Sequence, residues 1–178
     1  MVRTLHAAAI AACLLTGSSA LAGTVVLGSE LGITTSTQLK RSLPRTAIIE
    51  ALGINEFSGG AMFNVKGASH DIDGLSKVTY LFDEHDKLAA VIMTMNKERY
   101  DAVFQYLSAK YALKWTQRPF VGNQLARFRQ ADAAIELDAP HMSFEMEVRY
   151  IRHDLEQQFG QQSAAAARAR RKAERSKF

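Results

Sequence analysis

The sequence predicts an α+β fold: a mostly antiparallel sheet of about five to seven strands, one main amphipathic helix packed on it, and a C-terminal helical extension. Three patterns support this. Residues 78–95 indicate two strands joined by a polar turn, and residues 100–111 carry apolar side chains at helical spacing. Residues 142–150 alternate strictly between apolar and polar side chains, which is typical of an antiparallel strand with one buried face.

The segment from residue 78 to residue 111 is the predicted centre of the fold. Its first strand alternates apolar side chains, whereas residues 88–95 are apolar on both faces, as expected for a strand covered on two sides. Asn96 is a suitable cap for the helix that follows. The apolar stripe of that helix consists of Tyr100, Val103, Phe104, Leu107 and Tyr111.

The pattern of residues 142–150 predicts which side chains enter the core. Met142, Phe144, Met146, Val148 and Tyr150 form the apolar set, and they alternate with Ser143, Glu145, Glu147 and Arg149. We therefore expect Phe144 and Met146 to pack in one core with the helix residues Phe104 and Leu107.

The remaining segments predict shorter elements. A first strand is expected near residues 24–27, and a helix over residues 36–43 that begins with a Thr35–Gln38 capping box and ends at Pro44. Residues 46–52 fit either a helical turn or a strand. Residues 57–63 contain adjacent glycines, which favour a bend or bulge over an anion-binding loop, because no Lys-Ser/Thr pair follows. Strands are predicted at 113–119, 125–129 and 134–138, and a closing helix at 152–159.

Residues 1–22 have the features of a secretory signal peptide. Arg3 precedes an apolar run from Ala7 to Leu15, and small residues occupy positions 20 and 22 before the expected cleavage site. Cys13 also fits, less well, the box that directs lipid attachment. We expect cleavage after Ala22, a periplasmic location, and a mature chain without cysteine and without a transmembrane segment.

Charge divides the mature chain into a single α+β domain at residues 23–162 and a basic Ala/Arg/Lys tail at residues 163–178. The tail has a net charge of +5, so removing it and Arg3 from the total of +4 leaves −2 on the domain. A mildly acidic domain does not indicate nucleic-acid binding. The tail is either a solvated terminus or a site for an anionic surface, in which case the binding residues are Arg168, Arg170, Arg171, Lys172, Arg175 and Lys177.

No motif specifies a reaction, and the sequence predicts no cofactor. The weak catalytic candidates are His141, Glu145 and Glu147, since His141 precedes a strand that carries two carboxylates on one face, nominally about 7 Å apart. Alternating charge on a solvated sheet face explains the same residues without chemistry.

Two acidic turns, around His70 and His85, lack the spacing of known metal sites, so no metal is predicted. Phe120 and Val121, within an otherwise polar turn, are either an exposed apolar contact or a pair that folds back under the sheet.

Four segments resemble small uncharacterised periplasmic proteins of Gram-negative bacteria: residues 30–40, 75–111, 120–123 and 136–145. The helix-then-hairpin order is also loosely similar to the small lipoprotein of the outer-membrane barrel assembly machinery. Neither likeness supplies functional residues.

The sequence therefore predicts a non-catalytic binding or accessory module of the cell envelope, whose partner is an envelope protein or an anionic surface. The alternative is a small periplasmic hydrolase with a His/Glu site.

Overall fold

A computed structural model describes residues 23–161 and residue 168. The predicted leader, residues 1–22, and all of the predicted tail except Arg168 lie outside the described residues. The helices are α1 (Ser36–Ser42), α2 (Tyr100–Lys110) and α3 (residues 153–161), with short 3-10 turns at Gly67–His70 and Lys97–Arg99. The strands are β1 (Val25–Val26), β2 (Ser29–Glu30), β3 (Ile49–Ile54), β4 (Gly59–Lys66), β5 (Leu75–Asp83), β6 (Leu88–Asn96), β7 (Ala112–Gln117), β8 (Gln124–Arg129), β9 (Ala133–Ala139) and β10 (Glu145–Arg152).

The main sheet has eight strands in the order β3-β4-β5-β6-β10-β9-β8-β7, and every neighbouring pair is antiparallel. The predicted antiparallel α+β class is confirmed, but the predicted number of strands was too low. The sheet consists of two four-stranded meanders, each preceded by a helix. The meanders join through their last strands, β6 and β10, where Val91 lies opposite Tyr150.

Both α1 and α2 pack on one face of this sheet, which we call the helix face. The capping box predicted at Thr35 and Gln38 is present and starts α1. Leu39 of α1 and Leu107 of α2 are buried in the same core. Phe82, Val91, Phe128, Ile135 and Met146 contribute strand side chains to it. The apolar stripe predicted for α2 therefore faces the sheet.

The opposite face of the sheet, which we call the open face, is partly covered by α3. Leu155 of α3 packs against Leu81, Ala89 and Ala90 in a second, smaller cluster. Away from α3 this face carries polar and charged side chains, among them Thr79, Glu136 and Arg149. Among the described residues, no helix is long and apolar enough to span a membrane.

Residues 57–63 show why adjacent glycines occur there. The β4–β5 pairing shifts register between Gly59 and Met62, which is an irregularity of the kind predicted. A Cβ atom on Gly60 would lie 2.3 Å from the carbonyl oxygens of Phe82 and Asp83. The backbone of β4 therefore approaches that of β5 too closely for any side chain at this position. The ambiguous segment 46–52 contributes to the edge strand β3.

The start of the last strand was predicted wrongly. β10 begins at Glu145 and not at residue 142, so Met142 and Phe144 lie in the preceding loop. Phe144 is 94% exposed and is not part of the core, whereas Met146 is fully buried as expected. The backbone turns at residues 141–144, although apolar and polar side chains continue to alternate through that turn. The alternation therefore extends beyond the strand itself.

Candidate functional site

The β7–β8 and β9–β10 loops lie side by side at one end of the sheet. Their strands fix this arrangement, because β8 pairs with β9 and Gln124 lies opposite Ala139. The Asn123 side-chain oxygen accepts a hydrogen bond of 2.9 Å from the His141 backbone N–H, which joins one loop to the other. The two loops thus form one continuous end surface.

Four large apolar side chains project from these loops. Phe120 is fully exposed, Met142 is 90% exposed, Phe144 is 94% exposed, and Val121 is 65% exposed. We call these four residues the loop-tip cluster. Of the two interpretations of Phe120 and Val121, the structure supports the exposed apolar contact and not the pair folded under the sheet.

The β9–β10 loop, which carries Met142 and Phe144, is anchored to the segment between β6 and α2. The Lys97 backbone N–H donates a 2.9 Å hydrogen bond to the Phe144 carbonyl, and Lys97 Nζ donates a 2.5 Å bond to the Pro140 carbonyl. Three contacts from one residue, including a 3.4 Å bond from Nζ to the His141 carbonyl, hold the β9–β10 loop in place. These hydrogen bonds therefore hold the backbone that carries the exposed side chains of Met142 and Phe144.

The other loop is held at its base by Arg118. Its guanidinium group lies 4.9 Å from the centre of the Tyr100 ring and 5.5 Å from that of Phe104, and it forms an ion pair with Asp101. A groove of about 410 Å³ separates this base from Phe144. Cation–π contacts and the ion pair together hold the start of the β7–β8 loop against α2.

The three weak catalytic candidates make separate contacts. His141 is exposed and contributes its backbone to the contact between the loops. Glu147 accepts hydrogen bonds from Arg149 Nε at 2.9 Å and from Nη2 at 2.6 Å. Ser143 Oγ accepts a bond from the Glu145 backbone N–H. Across the described part of the chain, no hydrogen bond or ion pair joins His141 to either glutamate.

Charged side chains on the open face form a network of ion pairs. Arg149 forms ion pairs with Glu147, Asp138 and Glu136, and Glu136 also pairs with Arg127 at 3.1 Å. Burial acts to lower the pKa of Arg149, but the neighbouring carboxylates outweigh it and raise that pKa. This pairing explains Glu147 without a catalytic role, whereas Glu145 is exposed and lies outside these ion pairs.

The two acidic turns have structural contacts. His70 Nε2 lies 3.3 Å from the Tyr80 hydroxyl, and Asp73 pairs with Arg99. Asp83, in the turn that contains His85, binds Arg152 and the turn backbone. Within residues 23–161 and at residue 168, no group of three or more His, Cys, Asp or Glu side chains is arranged to hold a metal ion.

A second cleft, of about 360 Å³, lies at the opposite end of β5 and β6. Asp83, Arg152 and Asp154 line it, together with Phe57 and His85. The guanidinium group of Arg152 is already bound by both aspartates, so the charges of this cleft are also largely paired.

Of the six basic residues predicted to bind an anionic surface, Arg168 is described and is exposed. Arg170, Arg171, Lys172, Arg175 and Lys177 lie outside the described residues. The tail prediction therefore stays a prediction.

No family model matches the sequence, and comparisons with curated proteins and with solved structures found no similar protein. The geometry is thus the basis for assigning a site. The sequence singled out Phe120 and Val121 but left open whether they are exposed, and it placed Met142 and Phe144 on the buried face of a strand. Pro140 was the available signal for Met142 and Phe144, since a proline just before a predicted strand favours a loop.

Proposed function

We propose that the chain is an exported periplasmic protein, cleaved after Ala22, that acts as a non-catalytic binding module of the cell envelope. It contacts its partner through the loop-tip cluster. The observation that supports this proposal is the exposure of four large apolar side chains on two adjoining, anchored loops. Exposed apolar groups gathered in one place favour an interaction site, because leaving them in water lowers solubility without stabilising the fold.

The chemistry of the cluster favours an envelope protein as the partner over a purely anionic surface. Two phenylalanines, a methionine and a valine offer apolar area and no charge, and aromatic anchors of this kind contribute most when they fill a pocket on a partner. Methionine adapts its shape to the pocket. The charge pairing around Arg149 gives no support to the hydrolase alternative.

Photo-cross-linking in the native cell tests the binding site. A photoreactive amino acid replaces Phe120 or Phe144 in separate variants, and the control replaces Tyr106, an aromatic residue on the exposed side of α2 that is 67% exposed. We expect a discrete adduct from positions 120 and 144 and none from position 106. Equal labelling at the three positions, or no adduct at 120 and 144, would contradict the proposal.

Cell fractionation tests the location. We expect a mature protein that begins at Gly23 in the periplasmic fraction. A membrane-bound species with an acylated Cys13 at its N-terminus would contradict the location and support a lipoprotein.

A further inference from the structure

β3 is an edge strand that is exposed along its whole length. All six of its residues are exposed, and Ile54 is 67% exposed. Ile49 and Leu52 add two more exposed apolar side chains. An edge strand presents unpaired N–H and C=O groups, and an apolar one is a ready template for another strand.

The two edges of the sheet differ in how they are protected. β7, at the other edge, carries Lys114 and is followed by Arg118 and Pro119, which are residues that discourage strand addition. β3 contains no lysine, arginine or proline, and its one charged residue is Glu50. β3 is therefore the less protected of the two edges.

The bulge in β3 determines which side chains share a face. Ile49 lies opposite Val65 and Ile54 lies opposite Ala61, and both partners belong to or pack against the main core on the helix face. Five residues apart, Ile49 and Ile54 would point to opposite faces of a regular strand. The register shift between Ala51 and Gly53 brings them to the same face.

At both ends of β3, the direction of the backbone N–H and C=O groups follows from hydrogen bonds to β4. The Ile48 carbonyl accepts a hydrogen bond from Lys66, and the Asn55 N–H donates one to Gly60, so both of these groups point toward β4. Successive residues of a strand direct their N–H and C=O groups to opposite sides. Those of Ile49 and Ile54 therefore point away from the sheet.

We propose that β3 pairs in antiparallel fashion with β3 of a second copy of this chain, with Ile49 of one copy opposite Ile54 of the other. In this alignment both residues point their hydrogen-bonding groups outward and place their side chains on the helix face. Glu50 lies opposite Gly53, a residue without a side chain, and the two copies are related by a two-fold axis. The bulge, which commonly protects an edge, is here what makes the strand self-complementary.

The position of Glu50 distinguishes this alignment from a second possible alignment of the two strands. Pairing Ile49 with Ala51 of the second copy also keeps each side chain on its own face, but it sets Glu50 directly opposite Glu50. Like charges directly opposite each other destabilise a strand pair. Avoiding this like-charge contact favours the Ile49–Ile54 alignment, and the register of β3 matches a second copy of the same strand.

Sedimentation velocity on the purified full chain tests the dimer. We expect a concentration-dependent dimer whose dissociation constant rises about tenfold or more in Ile54→Lys, because the two-fold axis introduces each lysine twice. The matched control is Leu113→Lys, an exposed apolar residue on the other edge, which should leave the dimer unchanged. A monomer at every soluble concentration would overturn the proposal. A dimer lost in Leu113→Lys, or in Phe120→Ser, and retained in Ile54→Lys would overturn it too and place the contact elsewhere.

Disulfide trapping tests the alignment. In a Cys13→Ser background, which removes the sole cysteine of the sequence, the double variant Ile49→Cys/Ile54→Cys should form a covalent dimer on oxidation. Opposite residues of a hydrogen-bonded pair have Cα atoms about 5.5 Å apart, within disulfide reach. Positions 49 and 54 of one chain are about 16 Å apart along the strand and cannot bridge within it. Each single-cysteine variant is a control that should stay non-covalent, and efficient trapping of either one alone would refute this alignment.

Discussion

Asp83 and Arg152, 69 residues apart in the chain, form a hydrogen-bonded ion pair with 2.8 Å between Asp83 Oδ2 and Arg152 Nη2. The other oxygen of Asp83 accepts bonds from the backbone N–H groups of His85 and Lys87, at 3.0 and 2.8 Å. One carboxylate therefore closes the β5–β6 turn and ties it to the end of β10. Burial acts to raise the pKa of Asp83, but the Lys87 N–H and the Arg152 guanidinium outweigh it, so that this pKa lies below its usual value.

Asp83→Asn should lower the free energy of unfolding at pH 7 by about 1.5–3 kcal/mol, the range for a hydrogen bond to a charged group. A carboxyl whose pKa is lowered in the folded state stabilises fully above its unfolded pKa, near 3.9 for aspartate. That stability is lost as the pH falls through the folded-state value. Urea unfolding from pH 7 to pH 2 should therefore show a smaller acid loss in Asp83→Asn than in the wild type.

Some acid loss should remain in that variant, because the pKa of Asp154 is lowered as well, chiefly by its hydrogen bond to Arg152. Asp73→Asn is the control for stability: it removes an ion pair with Arg99 in which the aspartate is 83% exposed. Pairs of that kind contribute about 0–1 kcal/mol. If Asp83→Asn loses stability in acid as steeply as the wild type, the carboxylate does not carry this role.

Phe144 and Met146 are two residues apart in sequence and have opposite environments. Met146→Ala should lower the free energy of unfolding by about 2–5 kcal/mol, because the side chain is fully buried. Phe144→Ala should change it by less than about 0.5 kcal/mol, since the ring is exposed in the loop. Chemical denaturation of the two variants provides the comparison. A large decrease in the free energy of unfolding of Phe144→Ala would show that Phe144 packs in the core.

The sequence predicted the hairpin and α2 well because their signals are local. The polar turn at residues 83–87 and the stripe on α2 need no knowledge of distant segments. β4 was not predicted as a strand, because its adjacent glycines weaken the strand signal. The mixed pattern of residues 46–52 left β3 open between a helical turn and a strand. What makes them strands is the pairing of β4 with β5 and of β3 with β4, which local sequence does not encode.

The candidate site was harder to predict than the fold for a related reason. The loop-tip cluster depends on where the backbone leaves the sheet, and Met142 and Phe144 continue the alternation of β10 after the strand geometry has ended. The arrangement of two four-stranded meanders, each preceded by a helix, could not be predicted either, because the two halves share no repeated sequence pattern.

Gly60→Ala should lower the free energy of unfolding by about 2–3 kcal/mol or more, because the added methyl would overlap backbone oxygens that cannot move aside independently. Gly160→Ala is the matched control in α3, where an added Cβ meets no atom within 4 Å. It should be neutral or stabilise by up to about 1 kcal/mol through helix propensity. Thermal or urea unfolding distinguishes the two, and similar stabilities for both variants would contradict the close approach of β4 to β5.

Deleting residues 163–178 should change the free energy of unfolding by less than about 0.5 kcal/mol, because the segment has no apolar side chain larger than alanine before Phe178. If the tail binds an anionic surface, the intact chain should sediment with anionic vesicles and the truncated chain should not. Its net charge of +5 makes that binding electrostatic. Binding should therefore weaken as salt shortens the screening length from about 10 Å at 0.1 M to about 3 Å at 1 M. Zwitterionic vesicles are the matched control, and equal or salt-insensitive retention of the two chains would identify the tail as an inert extension.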